Sequence, residues 1–139
     1  MAKQTSLFIT QAIKNPSVTI LPADTTVLKV LYTAGTNDAV VKAISVRSND
    51  TAAANVVLAI NNGTADSILG VVNVPIMAGS TGAIPSVDLL NSSLLPGLPY
   101  DQNGKRVLPM QGTYVLKVGV LATITATKQI DVTTVVEEY

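Results

Sequence analysis

The side chains best equipped for chemistry are few, and they stand apart from one another. In "DQNGK", Asp101 and Asn103 share an Asp-x-Asn spacing with a calcium loop, whose oxygen ligands recur over twelve residues and close on a glutamate. The later ligands and the closing Glu are missing, so this segment reads as a turn. Asn49-Asp50-Thr51, Asn62-Gly63-Thr64 and Asn91-Ser92-Ser93 match the glycosylation acceptor pattern, and each also has the composition of an ordinary turn. Asp24, Asp50, Asp66, Asp88, Asp101 and Asp131 occur singly, most of them beside Asn, Ser, Thr or Gly. Two carboxylates acting on a glycosidic bond must be paired in space, and isolated turn aspartates are common in β proteins. "AGSTGA" has two glycines but no following Lys or helix, so it lacks the parts of a phosphate-binding loop.

The absences point the same way. The 139 residues include no His and no Cys, which removes the commonest general base and metal ligand and every thiolate chemistry. No Trp and a single Phe leave little for stacking bases or sugars. Nine Lys and Arg balance nine Asp and Glu, whereas a nucleic-acid binder needs a basic patch to displace counterions from phosphates. We expect no enzyme, no cofactor, no metal and no nucleic-acid partner. No stretch approaches the roughly 20 apolar residues of a membrane helix, and "MAKQTSLFITQAIKNPS" lacks the apolar run of a secretory leader. No membrane association and no cleaved export signal are expected.

The elements that would position these residues are strands. Apolar residues alternate through Val27 to Tyr32, Ala39 to Arg47 and Asn55 to Ile60, the period of a half-buried strand. Asn62-Gly63 follows as a hairpin turn, since both residues tolerate positive φ. Ser67 to Met77 continues as a strand in which Pro75 marks an edge or an end. A loop-rich region then holds four of the seven prolines. Within it "PSVDLLN" suggests one helical turn capped by Ser86, and "RVLPM" a short strand. "TYVLKVGV" and "QIDVTTVVEEY" close the chain as strands.

Seven to nine short strands about 10 residues apart, with no amphipathic helix between them, predict an all-β fold, an antiparallel β-sandwich or jelly roll. Its core should contain Leu28, Val30, Ile44, Val46, Leu58, Ile60, Leu116, Val118 and Ile130. The domain is drawn over residues 25–139. Residues 1–24 are set apart as an N-terminal arm by weak strand periodicity and by Pro16 and Pro22. Leu7, Phe8 and Ile9 form an apolar cluster in that arm, and such clusters mark contact surfaces. They are the expected contact with a neighbouring subunit or a larger assembly, the alternative being that they fold back and cap the open end of the sandwich.

The order of segments carries a resemblance. "LYTAGTNDAVVKAISVRSNDTAAANVVLAINNG", "LGVVNVPIMAGSTG", "VDLL", "LPYDQNGKRVLPMQGTYVLKVGV" and "ITATKQIDVTTVVEEY" together resemble small virion structural proteins of tailed bacteriophages, of the capsid decoration or cement type. The resemblance covers roughly Thr25 to Tyr139. It implies a non-enzymatic protein made in the host cytoplasm, bound in many copies to the major capsid protein on the outer virion surface. Similar layouts occur in tail, baseplate and head-fibre proteins, including domains that bind a host surface, which is the alternative expectation. The zero net charge and Val/Thr-rich strands suggest a homo-oligomer, a trimer or dimer, since low charge does little to keep subunits apart.

Overall fold

The computed structural model describes residues 12–139. Ten strands occur among them: β1 (Ala12–Lys14), β2 (Ser17–Ile20), β3 (Lys29–Thr33), β4 (Ala39–Ser48), β5 (Ala54–Asn61), β6 (Asp66–Val74), β7 (Val87–Asp88), β8 (Leu108–Met110), β9 (Val115–Val120) and β10 (Ile130–Glu138). All pairings are antiparallel. One sheet is built on β10 and β4. β1 and β2 lie end to end along the free side of β10, and β7 and β8 lie end to end along the free side of β4. The other sheet runs β3-β9-β5-β6.

Counting each split pair as one strand, the chain forms a long hairpin. β2 pairs with β10, β3 with β9, β4 with β7 and β8, and β5 with β6. Successive strands on each arm of that hairpin fall in opposite sheets, so the hairpin rolls up into a jelly roll. The fold is therefore the all-β sandwich that strand spacing predicts. The Asn62-Gly63 turn closes β5 on β6. Gly63 has φ +93°, and the Asn62 side-chain oxygen accepts from the Thr64 and Ala65 N–H groups at 3.0 and 3.1 Å.

The core lies between the sheets. Ile44, Val46, Leu58, Leu116, Val118 and Ile130 are fully buried, as alternation predicts. Ile60 and Leu28 are only half-buried, and Val30 is 53% exposed. The register of β3 against β9 shifts between Val30 and Tyr32. This irregularity turns both Leu31 and Tyr32 inward and leaves Val30 outside, which simple alternation could not foresee. The Tyr32 hydroxyl donates to Glu138 Oε1 at 2.6 Å, tying one sheet to the other. Burial and then the adjacent Glu138 carboxylate raise the Tyr32 pKa.

Two further expectations need correction. The segment assigned to an arm through Asp24 contributes β1 and β2, and Ile20 is fully buried in the core. Pro16 interrupts this edge, where it has no N–H to give to a ladder. Its carbonyl accepts from the Thr134 N–H at 3.0 Å and from the Thr134 hydroxyl at 2.7 Å, so the break is closed by β10. The helical turn expected in "PSVDLLN" is instead the strand β7. The Leu89 N–H donates to the Ile44 carbonyl at 2.9 Å, and Leu89 and Leu90, in the bend and turn just past β7, are both fully buried in the core. Leu95 and Leu98 from the following loop are also buried there.

Candidate interaction surface

The polar side chains singled out from the sequence are each engaged locally. Asp101 closes the "DQNGK" turn: its Oδ1 accepts from the Asn103 and Lys105 N–H groups at 2.8 and 2.9 Å, with Gly104 at φ +76°. Those backbone bonds, the one from Lys105 foremost, hold its pKa below the ordinary carboxylate value. Asp24 is lowered by the Leu21 N–H and then by Lys29, whose ammonium lies 2.9 Å away. Asp66 is lowered by the Asn61 side chain and then by Lys117 at 3.1 Å. Asp88 accepts from the Asn91 amide at 2.6 Å. No group of three or more His, Cys, Asp or Glu placed to hold a metal ion occurs among the described residues.

Asp50 is the buried exception, 2% exposed. Burial pushes its pKa up, but hydrogen bonds from Thr125, Ala52 and Thr51 outweigh this and hold it low. Its Oδ1 accepts from the Ala52 N–H at 3.0 Å and its Oδ2 from the Thr125 N–H at 3.1 Å. These bonds pin the loop before β5 to the loop after β9, a structural use of a carboxylate.

What distinguishes the molecule is the contrast between its two outward faces. On the β10 sheet, Asp131 accepts from the Thr19 hydroxyl at 2.9 Å and from Arg47 at 2.8 Å, and Gln129 also donates to it. Ser17, Thr133 and Ser45 share one register row beside this group. Lys42, left unpaired where the β4–β10 register shifts, sits 3.7 Å from Asp101 and 3.9 Å from Glu137. This face is hydroxylated, charged and internally bonded.

The outward face of the β3-β9-β5-β6 sheet is apolar. One row across it reads Val30, Lys117, Ala59, Ile68, and the next reads Gly119, Val57, Val71. Leu28 packs against Gly119, where a side chain would collide with it. Val57 and Ala59 are buried yet stand apart from the core cluster, because Val56 and Leu58 take the inward positions. Val30 and Ile68 are 53% and 56% exposed at the margins. Lys117 is the single charge in these two rows, and Asp66 neutralises it. Asn55, Asn73 and the 58%-exposed Leu121 lie toward one end.

Sequence reading did not single out this patch, although a signal was present. "VVLAI" from Val56 to Ile60 is continuously apolar, the pattern of a strand that meets apolar surroundings on both faces. The contact residues expected from the sequence, Leu7, Phe8 and Ile9, lie outside the described residues. No helix among the described residues is long and apolar enough to cross a membrane. Comparison of the chain with protein-family models, with curated proteins and with solved structures gives no significant match.

Proposed function

We propose that this chain is a non-enzymatic structural protein that docks on a repetitive protein surface through the apolar outer face of its β3-β9-β5-β6 sheet. The observation that carries the proposal is that face: seven positions in two rows with one charge, already neutralised. Val30 and Ile68, both more than half exposed at the margins of this apolar face, are the kind of exposed apolar side chains that mark a protein contact. Four strands about 4.8 Å apart and six residues long span roughly 20 Å each way, which is below the size of a single stable interface. Such a patch works best in many copies, where weak contacts add up through multivalency.

That requirement fits the resemblance of the sequence to capsid decoration proteins of tailed phages. In this reading the partner is the major capsid protein and the place of action the outer surface of the virion, with the protein itself a dimer or trimer. The jelly roll is compatible with the role but does not specify it, since one fold serves many functions.

Cryo-microscopy of the source particle tests the proposal. The expected result is density for the jelly roll on the capsid, with Val30 and Ile68 turned toward the shell. Density on the tail, baseplate or a head fibre would replace this location with the alternative one. Absence from the particle would overturn both. Sedimentation at micromolar concentration is expected to show a dimer or trimer.

A further inference from the structure

Of the four sheet edges among the described residues, three are guarded. Natural sheets protect an exposed edge with short strands, Pro, Lys or a break in the ladder, because its unpaired N–H and C=O groups offer a template to another strand. β1 and β2 are three and four residues long, with Pro16 between them. β7 and β8 are two and three residues long, with Pro109 inside β8. β3 has five residues and begins at Lys29, whose ammonium donates across to the Thr19 carbonyl at 2.7 Å. Its register against β9 is also broken.

The fourth edge, β6, differs. It runs nine residues, Asp66–Val74, without Lys, Arg or Pro, and among the described residues it pairs only with β5. Its register shifts once, at Leu69, and residues 70–74 then match β5 one for one. No backbone hydrogen bond from a turn or loop among the described residues reaches residues 70–74. The loop after β7 comes up beneath Gly70, where Leu95 takes the space of a side chain. The strand is thus supported from inside while its outer ladder groups stay unpaired. Its one charge, Asp66, stands at the far end and is held by Asn61 and Lys117.

We infer that β6 pairs with β6 of a second copy, antiparallel about a two-fold axis at Val72, joining two four-stranded sheets into one of eight. A two-fold axis sets the same edge against itself, so the edge that needs a partner is also the partner it needs. Val72 is the midpoint of the regular run, and centring there lets residues 70–74 all pair. Val71 then faces Asn73 of the partner subunit. The two Asp66 carboxylates stand roughly 40 Å apart along the strands, so no like charges meet. The inference rests on the dimer of the proposed function and narrows it, since such an edge closes after two copies and leaves no place for a third. It also lays the two apolar outer faces side by side. Together they cover about 20 by 40 Å, roughly the 800 Å² that one partner gives to a standard interface.

The chain has no cysteine, so a single replacement in the full chain reports the pairing. Asn73→Cys sets the Cα atoms of the two copies about 8 Å apart, within reach of a short bismaleimide. Thr33→Cys, on the opposite edge of the same sheet, sets them more than about 30 Å apart and serves as the comparison. The expected result is a dimer by sedimentation, with Asn73→Cys linking two chains at a yield at least about tenfold above Thr33→Cys. Adding Val71→Lys, which opposes two lysines across the axis, should abolish the link and shift sedimentation to the monomer while β-type circular dichroism is kept. A dimer in which both positions link equally, or a link that survives Val71→Lys, would overturn the β6 pairing and leave the dimer standing. A trimer would also overturn the pairing, and a monomer at micromolar concentration would overturn pairing and dimer together.

Discussion

The two outward faces of this jelly roll are made from strands of similar length and spacing, and they meet solvent in opposite ways. On the β10 sheet, Thr19, Arg47 and Gln129 all converge on Asp131, and hydroxyl side chains fill the adjoining row. On the β3-β9-β5-β6 sheet, the corresponding central positions are Val57, Ala59, Val71 and Gly119. Around Asp131 the first face satisfies its polar groups within itself, so covering it there gains little. The second exposes apolar side chains at its margins, Val30 and Ile68, with its only central charge already paired, so covering them releases water at little electrostatic cost. The lesson is that a contact surface can be recognised by what its polar counterpart on the same molecule has and it lacks.

The largest expected effect lies in what the two faces share. Leu116 is fully buried between the sheets, so Leu116→Ala should destabilise the fold by about 2–5 kcal/mol. Denaturant unfolding measures this, and both faces should lose their structure in the same transition. A smaller loss is expected from Asp50→Ala, which strips the Ala52 and Thr125 N–H groups of their acceptor, at about 1–3 kcal/mol. The same carboxylate gives a pH signature. Its folded pKa is depressed, so its contribution is complete above the unfolded value of about 3.9. That contribution is lost as pH falls through the folded value. The Asp50→Ala variant should therefore show a shallower acid limb in melting temperature against pH.

The smallest effect should come from the polar face itself. Arg47 is half exposed in its ion pair with Asp131, so Arg47→Ala should cost about 0–1 kcal/mol and leave particle binding unchanged. Loss of binding in that variant would move the contact to the polar face and break the comparison.

Most strands of the sandwich were legible in the sequence because alternation survives wherever one face is buried. Val46, Leu58, Leu116 and Ile130 followed from period two alone. The misreadings arise where a local feature breaks that period. A register shift in β3 exposed Val30. Pro16 cut one edge strand into pieces of three and four residues, too short to register as periodic. "VDLL" resembled a helical turn because Leu89 and Leu90 are adjacent, and both are buried where the strand gives way to loop. The apolar patch was harder still. Which strands lie side by side is a long-range property, and only the register brings Val30, Ala59 and Ile68, far apart in sequence, into one row.

The most direct test of the central claim compares charges placed on each face. Val30→Asp with Ile68→Lys leaves net charge unchanged, sets each new charge near an opposite one on Lys117 or Asp66, and changes only residues more than half exposed. Ser17→Glu with Val135→Lys places one charge of each sign on the polar face, likewise with no change of net charge. Cosedimentation with particles lacking the protein measures binding, and melting temperature reports the fold. The expected result is binding weakened at least about tenfold, or 1.4 kcal/mol, by the first pair and unaffected by the second, with melting of both close to the parent chain. Undiminished binding by the first pair, or a loss confined to the second, would contradict the assignment of the β3-β9-β5-β6 face as the contact surface.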